Sequence, residues 1–410
     1  MKKVPFSKAQ VEELATKYPT PFYIYDEAGI RAQVQKLITA FSWNEGFKEY
    51  FAVKALPNPS ILQFLKEEGC GTDCSSLPEL LLAERVGITG ENIMYTSNDT
   101  PPEEFIAAKK ASAIINLDDI NHLDYLETHA GLPELISFRY NPGLFQFGNE
   151  IIGNPREAKF GVTKEQLIEG YRLAKERGVK RFGLHTMLVS NELVVERFVQ
   201  AAHELFFCAR EIEDSVGITF EFINLGGGLG IPYKPEDKEF DVEAFSQGVR
   251  GEFENAFAGR ASAPKIFLES GRYVTGPFGY LVSKVLHVKE TYKKYVGLDA
   301  SMANLMRPGM YGAYHHITVL GKENKPEDTL CDVVGSLCEN NDKFAIDRKL
   351  PEVVADDILV IHDAGAHGHA MGFNYNGKLR SAEFLMQTDG TFKMIRRAET
   401  LDDHFATLSF

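Results

Sequence analysis

From about residue 48 to residue 270 the chain alternates short apolar, strand-like runs with helical patterns, and this alternation constrains the fold more than any other feature. The runs fall at residues 50–53, 71–75, 92–96, 113–117, 135–140, 181–185, 219–225 and 265–268. Helical patterns follow at 59–68, 78–86, 102–110, 120–128, 164–177, 195–212 and 242–257, and proline at 102 suits a first helical turn. Strands that alternate with helices at this spacing predict a parallel sheet. Eight units in about 220 residues match a (β/α)8 TIM barrel in both number and length. An open doubly wound sheet is the alternative, but it usually has fewer strands and a recognisable nucleotide loop. Beyond about residue 275 the texture changes. Gly279-Tyr280-Leu281-Val282-Ser283-Lys284-Val285 and Ile358-Leu359-Val360-Ile361 are β-like and long helical periods are scarce, so a separate C-terminal β-rich domain is expected.

In such a barrel the chemistry lies at the C-terminal ends of the strands. Here those ends carry Lys54, Asp73, Arg139, His185, the triple glycine Gly226-Gly227-Gly228, and Glu269 with Arg272 just beyond. Barrel strands are buried, so a charged residue ending one points into the mouth. Lysines are usually solvated, but Lys54 follows an apolar run and precedes Pro57-Asn58-Pro59, which places a turn directly beyond a buried strand. The glycines do not fit G-x-G-x-x-G, because residue 231 is Ile, and no Gly-Lys-Ser/Thr follows. Bare backbone N–H groups there still suit a phosphate monoester, with Arg272 as a charged second contact. A lysine, a phosphate cradle and a carboxylate in one mouth point to pyridoxal phosphate: Schiff base, phosphate site and partner for the pyridinium nitrogen. A Schiff-base aldolase acting on a phosphorylated substrate uses the same parts and stays open on this reading.

Composition narrows the partners. With 44 Lys plus Arg against 58 Asp plus Glu the formal charge is −14, which argues against a binder of nucleic acid or of anionic membranes. The odd total of 5 cysteines suits reduced thiols, the N-terminus lacks a secretory pattern, and no run nears the roughly 18 apolar residues of a span. A cytoplasmic protein is expected. Cys70 and Cys74 lack a second pair, and His362, His367 and His369 lack a carboxylate at a fixed ligand spacing, so no metal site is expected. Cys338-Glu339, in a polar loop of the β-rich part, is a candidate acid.

Taken together, the residues resemble the fold-type III pyridoxal-phosphate decarboxylases, and among them the diaminopimelate decarboxylases. The likeness runs from Thr20-Pro21-Phe22-Tyr23-Ile24-Tyr25 to the C-terminus. It is carried by Phe51-Ala52-Val53-Lys54-Ala55, Asp73-Cys74-Ser75-Ser76, Arg139-Tyr140-Asn141-Pro142-Gly143, Asn224-Leu225-Gly226-Gly227-Gly228 and Glu269-Ser270-Gly271-Arg272. Met306-Arg307-Pro308-Gly309-Met310-Tyr311, Gly335-Ser336-Leu337-Cys338-Glu339 and Asp363-Ala364-Gly365-Ala366 continue it. The order and spacing of these motifs are specific where no single one is.

The resemblance implies a barrel over residues 28–272, with residues 1–27 joining 273–410 in the β-rich domain. It implies that Lys54 carries the cofactor, that Gly228 and Arg272 bind its phosphate, and that Glu269 pairs with its ring nitrogen. Arg139 would lie near the phenolic oxygen, and Asp73, His185, Ser190, Gly227, Gly271 and His367 would complete the cofactor site. Arg272, Arg307 and Tyr311 would hold a substrate carboxylate and Glu339 a distal amine. Cys338 would act as the acid, reaching in from the partner of a homodimer with shared active sites. The reaction implied is loss of CO2 from meso-diaminopimelate to give L-lysine, in lysine biosynthesis. Other decarboxylases of the family, acting on carboxynorspermidine, lysine, ornithine or arginine, and a non-catalytic cofactor-binding protein are the alternatives. A carboxylate at the ring nitrogen keeps it protonated and favours decarboxylation, whereas related racemases place an arginine there. Arg307 suits a substrate with a second carboxylate. The sequence departs from the family at Met187, where a ring-stacking histidine is usual, at Ser270, where proline is usual, and at His367, where a phosphate-touching tyrosine is usual.

Overall fold

In the computed structural model, residues 2–143, 157–187, 189–260 and 262–410 are described. They divide into two compact units, one of Arg31–Ile231 with Lys238–Val274 and one of Met1–Ile30, Pro232–Asp237 and Thr275–Phe410. The first strand, β1 (Phe22–Asp26), belongs to the second unit. The next eight close a barrel: β2 (Lys48–Ala52), β3 (Gly71–Cys74), β4 (Ile93–Ser97), β5 (Ile114–Leu117), β6 (Leu135–Tyr140), β7 (Arg181–Thr186), β8 (Phe220–Asn224) and β9 (Lys265–Leu268). All neighbours are parallel, and the β2–β9 pairs Lys48↔Phe267 and Glu49↔Leu268 complete the ring. The expected barrel is present, its strands within a residue or two of the sequence reading.

The barrel strands are buried on both faces, which is why they read as near-continuous apolar runs. Inside, Tyr50, Met94, Ile114, Leu135, Phe222 and Phe267 form one packed layer. Alternation then carries Asp73, Asn116, Ser137, His185, Asn224 and Glu269 to the same interior face nearer the C-terminal ends, all buried. The barrel floor is apolar and its mouth is polar.

The other unit is a nine-stranded sheet. It adds β10 (Gly279–Glu290), β11 (Lys294–Leu298), β12 (Ile317–Val319), β13 (Thr329–Val334), β14 (Lys343–Leu350), β15 (Ile358–Ile361), β16 (Ala382–Met386) and β17 (Phe392–Arg396). β1 lies between β10, antiparallel, and β16, parallel. The N-terminal helix Lys8–Lys17 opens with a capping box, in which Ser7 Oγ accepts the Gln10 N–H while Gln10 Oε1 accepts the Ser7 N–H. Its Val11 and Leu14 pack with Phe22, Ile24, Val282, Val360 and Phe384, so the chain's first element covers a face of this sheet.

Candidate active site at the C-terminal mouth of the barrel

Lys54 lies one turn beyond its strand. β2 ends at Ala52, and Val53–Ala55 form a short 3-10 turn that lifts the lysine out of the ladder. Its side chain is half-exposed, with Nζ 2.8 Å from Asp73 Oδ2 at the end of β3. Burial works against the charge of Lys54, but Asp73 and then Glu269 outweigh it, and the ammonium is held above its ordinary pKa. Asp73 itself is pushed up, chiefly by burial and next by Glu269. Its Oδ1 is buried with no partner among the described residues.

Glu269 sits just past β9 and is pinned from two sides. His185 Nε2 lies 2.9 Å from Oε2, and Asn224 Nδ2 donates to Oε1 at 2.7 Å. Burial would raise this carboxyl, but His185 and then Lys54 more than offset it, so Glu269 stays below the usual carboxylate range. A fixed, ionised carboxylate results. The Nδ1 of His185 is buried and unpartnered among the described residues.

The glycines make the third wall. Gly226 has φ +71° and Gly228 φ +93°, both in the left-handed region. A Cβ on Gly226 would stand 2.2 Å from the Thr186 carbonyl oxygen, one on Gly227 2.3 Å from that of Glu269, and one on Gly228 2.2 Å from that of Val189. No side chain fits, so bare backbone faces the mouth. The Gly227 N–H points at Met187 Sδ, 3.2 Å away. Met187, which stands where the resemblance leads one to expect a ring-stacking histidine, therefore lies against the glycine cradle. Gly271 packs close to the lysine turn, a Cβ there meeting Ala55 Cβ at 2.7 Å.

Arg139, at the end of β6, reaches Asp118 at 3.3 Å, and its guanidinium lies 4.4 Å from the centre of the Phe160 ring. Ser190 and the buried Arg272 also belong to the barrel unit. That unit thus holds Lys54, Asp73, Arg139, His185, Ser190, Gly227, Gly228, Glu269, Gly271 and Arg272. The remaining residues of the sequence reading lie in the β-rich unit. Arg307 is buried there, its guanidinium 5.1 Å from the centre of the Tyr233 ring, and Tyr311 is exposed. Cys338 is exposed and its N–H donates to Asn376 Oδ1 at 2.7 Å; Glu339 Oε1 accepts the Asn341 N–H at 3.0 Å. His367 has φ +55° and is half-buried. Sequence reasoning missed Asn116, Asp118 and Ser137 of the mouth and singled out Asn224 only within its motif; inward alternation along β5, β6 and β8 was the available signal.

The mouth fits pyridoxal phosphate on its own geometry. It has a lysine at the rim, a cradle that any Cβ would fill, a carboxylate held ionised, and orphaned polar atoms on Asp73 and His185. Barrel and mouth together define a pyridoxal-phosphate enzyme. Residues 27–276 match the family described as "Pyridoxal-dependent decarboxylase, pyridoxal binding domain", and the chain belongs to that family. It is a fold-type III, pyridoxal-phosphate-dependent decarboxylase, a carboxy-lyase. Protein TabA of Pseudomonas amygdali pv. tabaci is 46% identical over 96% of this chain and 92% of its own. The diaminopimelate decarboxylase of Methanothermobacter thermautotrophicus is 37% identical over 96% of this chain and 93% of its own. The crystal structure of the M. jannaschii diaminopimelate decarboxylase in co-complex with L-lysine superposes with a TM-score of 0.91, at 31% identity, covering 98% of this chain and 94% of that one.

Proposed function

We propose that this decarboxylase acts on meso-diaminopimelate and releases CO2 and L-lysine, in the cytoplasm, as a homodimer with shared active sites. The observation that carries the reading is the Glu269 carboxyl, locked between His185 Nε2 and Asn224 Nδ2 in the barrel mouth that also holds Lys54 and Asp73. When bound, pyridoxal phosphate supplies a sink for the electron pair that CO2 leaves behind. Glu269 pairs with the ring nitrogen and keeps its proton in place, which favours decarboxylation over racemisation. Asp73 positions Lys54, the residue that would carry the cofactor. His185 and Ser190 line the cofactor site, Gly227, Gly228, Gly271 and Arg272 receive the phosphate, and Arg139 faces the phenolic oxygen. His367 stands where relatives place a tyrosine.

Arg272, Arg307 and Tyr311 hold a substrate carboxylate, and the buried Arg307 suits a second carboxylate that ornithine and lysine lack. Glu339 receives the distal amine. Cys338, from the partner subunit, returns a proton to the carbon that lost CO2. Support for the substrate comes from the relatives named diaminopimelate decarboxylases and from the lysine held by the M. jannaschii protein. The higher identity to Protein TabA favours a second reading, in which the same machinery serves a different amino acid. A CO2-release assay with meso-diaminopimelate, lysine, ornithine, arginine and carboxynorspermidine decides between them. Turnover of meso-diaminopimelate well above the rest is expected; preference for another amino acid, or no turnover of any, would overturn the substrate.

A further inference from the structure

Glu49 is the residue at which the closing ladder of the barrel stops. Its pairing with Leu268 is the last between β2 and β9, and beyond it the chain runs through Glu269 and Ser270 to Gly271 and Arg272. The Ser270 N–H would be left without a ladder partner there. It donates instead to Glu49 Oε1, at 2.6 Å, between two residues that are each 1% exposed. On the other flank the Glu269 N–H donates to the Gly226 carbonyl at 2.8 Å. The segment is therefore held on one side by the glycine cradle and on the other by a buried carboxyl. Burying a carboxyl is costly, and an apolar side chain at this strand position would avoid the cost. What the carboxyl gains is the backbone donor of the residue that follows Glu269. Burial pushes the Glu49 carboxyl well above its ordinary range, Glu269 and Asp73 add to this, and Ser270, through its N–H and then its side chain, offsets only part.

We propose that Glu49 is a positioning residue for the cofactor site: by accepting the Ser270 N–H it fixes the segment that presents Glu269 to the cofactor ring and Arg272 to its phosphate. This rests on the roles assigned to Glu269 and Arg272 under the proposed function. Physically, the acceptor is needed only because residue 270 has an N–H, and proline has none.

The test is titration of the full-length apoenzyme with pyridoxal phosphate, followed by absorbance, beside its melting temperature and the kcat and KM of the loaded enzyme. Glu49→Leu should weaken cofactor binding about tenfold or more and lower kcat more than it raises KM, the scale of one lost buried hydrogen bond. Glu49→Gln, which keeps a carbonyl acceptor, should stay within about threefold of wild type. In a Ser270→Pro background the further change Glu49→Leu should cost less than about twofold, because the donor is gone. If Glu49→Leu does not fold, the pair Ser270→Pro and Ser270→Pro/Glu49→Leu decides by itself. Glu49→Leu binding the cofactor like wild type, even with a lowered apoenzyme melting temperature, would overturn the proposal. So would an equal penalty for leucine with and without the proline. Glu269→Gln and Arg272→Gln separate the two readings: if neither weakens the cofactor, the site assignment fails, and if both do while Glu49→Leu does not, only the positioning role falls.

Discussion

At Gly228 the backbone has φ +93°, and an added methyl group would stand 2.2 Å from the Val189 carbonyl oxygen. Both the conformation and the space exclude a side chain. Gly228→Ala should therefore weaken cofactor binding at least tenfold and destabilise the protein by about 1–3 kcal/mol, read by cofactor titration and thermal melting. Unchanged binding would remove Gly228 from the phosphate site. Cys338 and Glu339 adjoin in one exposed loop, yet the proposed mechanism separates them. Cys338→Ala should lower kcat by ~10²–10⁴-fold with little change in KM, because a general acid acts only in the chemical steps. Glu339→Ala should mainly raise KM, because it removes a contact to the resting substrate. The same pattern from both variants would contradict the assignment. Lys54, Asp73 and Glu269 were legible because a charge ending a buried strand is unusual; Asn116 and Ser137 were not, because a small polar residue inside an apolar run reads as noise.

Among the elements, the helix Val195–Val216 runs past the expected end near residue 212. Gly217, at φ +68°, stops it, and the buried Glu213 stays in register because its carboxylate accepts the Phe220 N–H at 2.8 Å. The helix Lys8–Lys17 carries a capping signature legible in the sequence, Ser7 with Gln10. In β16, Glu383 is 1% exposed. It accepts the Tyr25 hydroxyl of β1 at 2.7 Å, pairs with Arg396 of β17, and faces His369 at 3.9 Å. Burial raises this carboxyl, but His369 and then Arg396 outweigh it, so its folded pKa lies below the ordinary value. A depressed carboxylate stabilises the fold above its unfolded pKa of ~4.3 and loses that contribution as pH falls through the lower folded value. Melting curves between about pH 6 and pH 3 should show Glu383→Gln losing less stability on acidification than wild type. Glu383→Leu, which strips the buried Tyr25 hydroxyl of its acceptor, should cost about 1–3 kcal/mol at neutral pH. Parallel acid profiles for wild type and Glu383→Gln would contradict the pairing.

For the whole molecule, a shared site makes a specific demand on mixtures. Lys54 belongs to the barrel unit and Cys338 to the β-rich unit. Under the proposed homodimer, Lys54→Ala and Cys338→Ala are each nearly inactive, and a heterodimer gathers both lesions in one site and leaves the other intact. Random exchange makes about half the dimers mixed, each with one working site of two, so activity should return to about a quarter of wild type. No recovery, with subunit exchange confirmed independently, would exclude shared sites.

The alternation of apolar runs and helical periods pointed by itself to eight strand-and-helix units on a parallel sheet, because each strand and its crossover are local in the chain, whereas closure of the ring is a tertiary contact between β2 and β9. Charges at the ends of those runs likewise located the mouth. Which residues meet there was decided only by tertiary structure. Periodicity says which face a side chain occupies but not which neighbour it faces. His185 and Glu269, 84 residues apart, meet across the strand between them, because β8 separates β7 from β9 in the closed ring. Glu49 and Ser270, 221 residues apart, meet because closure brings the first barrel strand against the last. Nothing in the run that ends at Lys54 announces a carboxyl reserved for a backbone donor at the far end of the barrel, since that need arises only when the two strands come together.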